Sequence, residues 1–246
     1  MELRSIGLCA VIAIHLAGAA PAFATKPDPA PWTLPAGPVV GVSTDAVAGD
    51  ACNLGVAGPA AIAFAYILPP DDAYYTLISP AACDGCLAGA HQLTAAHVQL
   101  YFNATCEIPV TVSIVPATDL GGGCLAPSLL AAPICDPVGY TIGASGLNRC
   151  VDYALPLTPG CCINEPAFVR IEFDQGSCPS YKPGFCGPTG CSDCMQYNTN
   201  AGVTGAHSGD LCDMHGMVGI MYVESTCCAP TSTLPRTWGK LKSLYR

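Results

Sequence analysis

The stretch Gln92-Leu-Thr-Ala-Ala-His-Val-Gln-Leu-Tyr-Phe-Asn103, a break at Ala104-Thr-Cys-Glu-Ile108, and Pro109-Val-Thr-Val-Ser-Ile-Val-Pro116 decides the fold class. In the first half Val98, Leu100 and Phe102 share one face, with His97, Gln99 and Tyr101 on the other. In the second, Val110, Val112 and Ile114 alternate with Thr111, Ser113 and Val115. Two consecutive runs of period two, rich in β-branched and aromatic residues, predict two half-buried strands, expected to pair as an antiparallel hairpin. Cys106 in the connection, with Cys83 and Cys86 upstream, predicts that the hairpin is also pinned covalently.

Further strands are expected at 39–47, 60–68, 74–78, 140–142, 151–157, 168–174 and 218–224, separated by Gly, Pro and Asp turns. The clearest is Phe168-Val-Arg-Ile-Glu-Phe-Asp174, with Val169, Ile171 and Phe173 inward and Arg170, Glu172 and Asp174 outward. Gly121-Gly-Gly123 opens a region read as loop through Pro137. Residues 177–216 read as a long irregular insertion dense in Gly, Cys and Asn. A helical period occurs only over 236–245. About nine short strands predict an all-β, antiparallel β-sandwich, jelly-roll-like or immunoglobulin-like, rich in disulfides.

The organisation read along the chain is a signal peptide over 1–24, a Pro-rich arm over 25–38, one sandwich domain over 39–230 and a basic tail over 231–246. Arg4, the apolar run 6–17 and the small-residue site Ala22-Phe-Ala24 carry the signal-peptide reading. No other apolar run reaches the ~20 residues a membrane span needs. Removing the signal peptide removes Cys9 and leaves sixteen cysteines: Cys52, Cys83, Cys86, Cys106, Cys124, Cys135, Cys150, Cys161, Cys162, Cys178, Cys186, Cys191, Cys194, Cys212, Cys227 and Cys228. An even number in an exported chain predicts a framework of up to eight bridges whose connectivity the sequence does not give. The adjacent pairs Cys161-Cys162 and Cys227-Cys228 should each reach two different partners, because a bond between neighbours strains the peptide between them.

Only 11% of residues are charged. Between Asp28 and Glu224 there are seventeen acids and three bases, a local net charge of −14. Nucleic-acid phosphates would be repelled by such a body, so that partner class is excluded.

Several constellations carry candidate chemistry. Cys83-Asp-Gly-Cys86 and Cys191-Ser-Asp-Cys194 have the Cys-x-x-Cys form, but they lie in turns and not at a helix start, so bridging is expected over redox or zinc chemistry. His207, Asp210, Asp213 and His215 fall within nine residues and are ligand types for a divalent metal. Tyr74, Tyr75, Tyr101, Tyr181 and Tyr197 form a possible ligand surface for a carbohydrate or protein partner. Glu165, Glu172 and Asp174 are the carboxylates a hydrolase would use. No Gly-x-Ser-x-Gly elbow is present.

The segment Arg236-Thr-Trp-Gly-Lys-Leu-Lys-Ser-Leu-Tyr-Arg246 is basic and amphipathic beside an acidic body. It resembles the short C-terminal handles of cell-surface or sorted bacterial proteins. That resemblance implies a Cys-rich, secreted bacterial β-sandwich protein whose Arg236, Trp238, Lys240, Lys242, Tyr245 and Arg246 dock a partner or surface. The functional expectation is a secreted or cell-surface binding or structural module, with no catalysis and no firmly implied cofactor. The alternatives are an extracellular hydrolase or metal-dependent enzyme centred on 177–216, and a self-associating subunit of an extracellular assembly.

Overall fold

The computed structural model describes residues 31–33, 52–64, 72–83, 86, 89–179, 183–200 and 209–228. Its elements in chain order are β1 (Pro31–Thr33), β2 (Cys52–Val56), β3 (Ile62–Phe64), β4 (Asp72–Ile78), β5 (His91–Phe102), β6 (Glu107–Gly121), β7 (Cys124–Pro127), β8 (Cys135–Gly143), β9 (Arg149–Pro156), β10 (Cys162–Ile163), β11 (Ala167–Phe173), β12 (Gly184–Gly187), β13 (Gln196–Asn200), β14 (Gly209–Asp210), α1 (Leu211–His215) and β15 (Met221–Cys227). The expected 39–47 strand and the 236–245 helix lie outside the described residues.

The strands form two antiparallel sheets. The first runs β1-β3-β12-β5-β15-β2, and β5 also pairs with β9 and β10. The second runs β14-β13-β4-β11-β6-β7, with β8 also on β6. This is the predicted antiparallel sandwich, and its sheets curl. One core fills the space between them: Ala96, Val98, Leu100 and Phe102 of β5, Ile108, Val110, Val112 and Ile114 of β6, and Val169, Ile171 and Phe173 of β11. Phe185 of β12 reaches across to Tyr74 and Phe173, with ring centroids 4.8 and 6.5 Å away. A Cβ on Gly219 would lie 1.9 Å from the Phe185 ring, so only glycine fits where the chain enters β15.

Three sequence expectations are corrected. β5 and β6 are not a hairpin, because they belong to opposite sheets. The Asn103–Cys106 connection carries the chain across the sandwich, so the two apolar faces meet through the core and not edge to edge. Period two reports the alternation of faces but not the neighbour, and the faces expected in solvent are covered too, with His97, Gln99, Tyr101, Ser113 and Val115 all buried. The 121–137 region is not loop throughout: Gly121 to Gly123, all at positive φ, turn β6 into β7, and β8 already begins at Cys135. The 177–216 insertion supplies β12 to one sheet and β13 to the other. β13 escaped a strand reading because its buried side chains are polar and paired. Gln196 bonds Thr76 at 2.6 Å, and Asn198 bonds Asp72 at 2.9 Å. Part of the Pro-rich arm is also in a sheet, since β1, which carries Trp32, pairs with β3.

All sixteen cysteines are bridged: Cys52–Cys83, Cys86–Cys227, Cys106–Cys178, Cys124–Cys194, Cys135–Cys161, Cys150–Cys186, Cys162–Cys228 and Cys191–Cys212. Neither Cys-x-x-Cys pair is closed on itself. Cys161 and Cys162 part to Cys135 and Cys228, and Cys227 and Cys228 part to Cys86 and Cys162, as expected for adjacent pairs. The bridges close loops of up to 141 residues in separation, and long closures restrict the unfolded chain most. Among the described residues no helix is long and apolar enough to cross a membrane.

Candidate functional site

The far half of β6 leaves the plane of its sheet. From Ala117 onward it pairs with β7, and the resulting hairpin lies over the sheet's outer face. There Ala117, Leu125 and Ala126 pack on Tyr75, Phe168 and Tyr197. The Cys124–Cys194 bridge and the Tyr197 hydroxyl, which donates to the Leu125 carbonyl at 2.9 Å, fix it in place.

This fold-back leaves a groove of about 640 Å³ between the hairpin and α1. One wall is apolar, formed by Leu120, Ala126, Leu129 and Leu130; the other carries Tyr197, Asp210 and Asp213. Leu120 is 64% exposed, Leu129 45% and Leu130 101%. The chain from Leu120 through Cys135 contains no charged residue at all. Large aliphatic side chains are thus exposed beside carboxylates, and contiguous exposed apolar surface is uncommon on a free protein.

The acidic wall is built by α1. Asp210 caps it, its carboxylate accepting from the backbone N–H groups of Cys212 at 2.8 Å and Asp213 at 3.3 Å, and also from Cys194 N–H. Three donors on one buried carboxylate make Asp210 a structural anchor that ties the 191–194 turn to the helix. Asp213 is exposed in the first turn. Burial, followed by the charges of Asp210 and Asp213, raises the Tyr197 phenol above its ordinary value.

Of the four residues expected to hold a metal, Asp210 and Asp213 therefore meet at the groove. His207 lies outside the described residues, and His215 is the last residue of α1. Among the described residues no three His, Cys, Asp or Glu side chains converge as a metal cage. The tyrosines expected at a ligand surface are buried instead: Tyr74, Tyr75, Tyr101 and Tyr197 are 2–7% exposed. Their rings complete the cores on both sides of the sheets, because strands covered on both faces bury their outward aromatic positions too. Tyr181 and the six tail residues from Arg236 to Arg246 lie outside the described residues. Glu172 is paired with Arg170 at 2.6 Å, whose Nε donates to the Tyr75 hydroxyl at 3.1 Å.

A second cluster escaped sequence reading. On the outer face of β5, the His97 ring stacks on Tyr222 of β15, centroids 4.5 Å apart and planes 10° from parallel. Its Nδ1 lies 2.6 Å from Asp152 Oδ2 of β9, and its Nε2 lies 3.2 Å from Glu224 Oε1 of β15. The four residues come from three strands far apart in sequence; register alone brings them together, His97 opposite Tyr222 and Ala154. Burial raises the Tyr222 phenol well above its usual value, with Asp152 and Glu224 adding to it. The only signal in the sequence was the placement of His97 on the polar side of its strand.

No protein-family model matches the chain, and no curated protein does. Among solved structures the chain is similar to the crystal structure of the cysteine protease and lectin-like domains of Cwp84, a surface layer associated protein of Clostridium difficile, at a TM-score of 0.48 and 8% identity. The match covers 73% of this chain and 36% of that one, so the chain spans about a third of that structure's length. At this score the likeness carries no argument about activity.

Proposed function

We propose that the protein is an exported binding module that works through the groove between the β6–β7 hairpin and α1. The occupant proposed is a peptide segment of a partner protein that carries large apolar side chains next to a Lys or Arg. The observation that carries this reading is the exposure of Leu120, Leu129 and Leu130 in a groove that Asp210 and Asp213 also line. The leucines offer an apolar surface of the kind found at the centre of protein interfaces. Asp213, in an acidic body, favours a cationic neighbour and suppresses anionic ones. Sugar recognition needs exposed aromatic faces, and the four described tyrosines that were candidates for this role are buried. Eight disulfides suit an oxidising compartment outside the cytosol, and support export to the cell surface or beyond.

The test is binding of the full chain to an arrayed set of short peptides that pair leucine or phenylalanine with lysine, glutamate or serine, read by fluorescence anisotropy. The apolar–basic set should bind, a Leu129→Asp/Leu130→Asp variant should lose that binding, and Asp213→Lys should shift preference toward the apolar–acidic set. Equal binding to all three sets, or binding untouched by the leucine substitutions, overturns the reading. Binding to an oligosaccharide array alone would replace it with sugar recognition.

A further inference from the structure

We infer that His97 and Glu224 form a site for a divalent transition-metal ion of the zinc class, with Asp152 orienting the imidazole from behind. With the ring proton on Nδ1, which lies 2.6 Å from Asp152 Oδ2, Nε2 is left as an acceptor. A carboxylate on the rear nitrogen is the usual companion of a metal-bound histidine, fixing the ring and raising its basicity. Nε2 is itself buried without a hydrogen-bond partner, on a side chain 8% exposed.

Glu224 Oε1 stands 3.2 Å from Nε2, yet it lies off the line a ring N–H would take and makes no hydrogen bond with it. Two ligands of one ion have that relation. With metal–ligand distances of about 2.0–2.2 Å, neighbouring ligands sit roughly 3.0–3.5 Å apart, with the lone pair aimed at the ion and not at the other ligand. The local field favours a cation, since the carboxylates of Asp152 and Glu224 flank the ring on both sides. Glu224 is 52% exposed, which gives the ion a path in and leaves its remaining positions to water. Imidazole with carboxylate selects zinc, nickel or copper over calcium or magnesium, which prefer oxygen alone.

The experiment is titration of zinc chloride into the full chain by calorimetry, together with the imidazole ¹⁵N spectrum. A variant carrying His207→Ala and His215→Ala separates this site from the 207–215 loop. One zinc should bind that variant, moving the Nε2 resonance of His97. Glu224→Gln should weaken binding at least tenfold. Asp152→Asn should weaken it by roughly 10- to 100-fold, the usual effect of losing an orienting carboxylate. Glu224 is half exposed, so its variant folds, and circular dichroism confirms that. No zinc binding, or binding unchanged by Glu224→Gln, overturns the inference; the ring is then an imidazolium strap between two carboxylates. Binding abolished by the His207/His215 pair alone overturns it equally and places the metal in the loop.

Discussion

Along the outer face of β5, His97, Gln99 and Tyr101 are polar or part-polar and buried. Across the sandwich, Leu120, Leu129 and Leu130 are apolar and exposed. The first region meets most of the cost of burying polar groups from within: Asp152 bonds His97, the Gly58 carbonyl accepts from Gln99, and Asn148 accepts from Tyr101, while His97 Nε2 and Asp152 Oδ1 make no hydrogen bond. The second has no such completion among the described residues. A leucine side chain left fully in water, as Leu130 is, forgoes about 1.5–3 kcal/mol of burial, and Leu120 and Leu129 forgo a part of that, which only another molecule's surface or a further segment of chain can recover. A buried polar cluster that satisfies its neighbours holds strands together, while an exposed apolar one points outward to a partner.

Loss of the covalent tie at the groove should show the largest effect. Cys124→Ser with Cys194→Ser frees the β6–β7 hairpin from β13 and removes a closure of 70 residues' separation. Stability should fall by about 2–4 kcal/mol in a denaturant titration, and peptide binding at the groove should fall with it. Next, His97→Ala removes the ring that joins β9 to β15 and leaves the partly exposed Asp152 carboxylate without its partner. A loss of about 2–3 kcal/mol is expected, below the full cost of a broken buried pair because Glu224 is half exposed. Peptide binding at the groove should be unchanged, and a parallel loss there would mean that the two regions are one unit.

The pH dependence separates the regions more finely. The Tyr222 and Tyr197 phenols are raised in the folded state from an ordinary value of 10.0. In the unfolded chain both ionise near that value, so the unfolded state sheds protons first. Their contribution is therefore fully present below pH ~10 and is lost as pH rises toward the folded-state values. Absorbance at 295 nm should show these tyrosines ionising together with unfolding, not before it. The smallest effect on stability belongs to Leu130→Asp, within about 0.5 kcal/mol of wild type as for most exposed positions, although it should abolish peptide binding.

Much of this architecture was legible in the residues. The alternation at 92–102 and 109–116 gave the core-facing side chains correctly, because successive residues of a strand point to opposite faces, but it did not show that the second face is covered as well. The even cysteine count foretold eight bridges, and the strain of a vicinal bond foretold that Cys161, Cys162, Cys227 and Cys228 would part. Strand partners were not legible, so β5 and β6 were read as a hairpin when they face each other across the core. β13 stayed hidden because Gln196 and Asn198 are buried by pairing with Thr76 and Asp72, which a hydropathy pattern does not register. Leu129 and Leu130 read as ordinary loop residues; only the folding-back of the hairpin makes them a wall. Asp210 read as a metal ligand because its type and spacing allow it, whereas the backbone amides it caps become visible only once α1 is formed.

The inversion between the two regions is tested most directly by hydroxyl-radical footprinting of the native protein, read residue by residue with mass spectrometry. Leu130 should label as fast as in a denatured control, Leu120 and Leu129 at a large fraction of that rate in keeping with their 64% and 45% exposure, and Tyr222 and His97 should be strongly protected. Adding an apolar–basic peptide should then protect the three leucines and leave the His97 region unchanged. Leucines already protected in the free protein to the level of core residues such as Val112 would contradict the account, because the groove would then be filled by the chain itself.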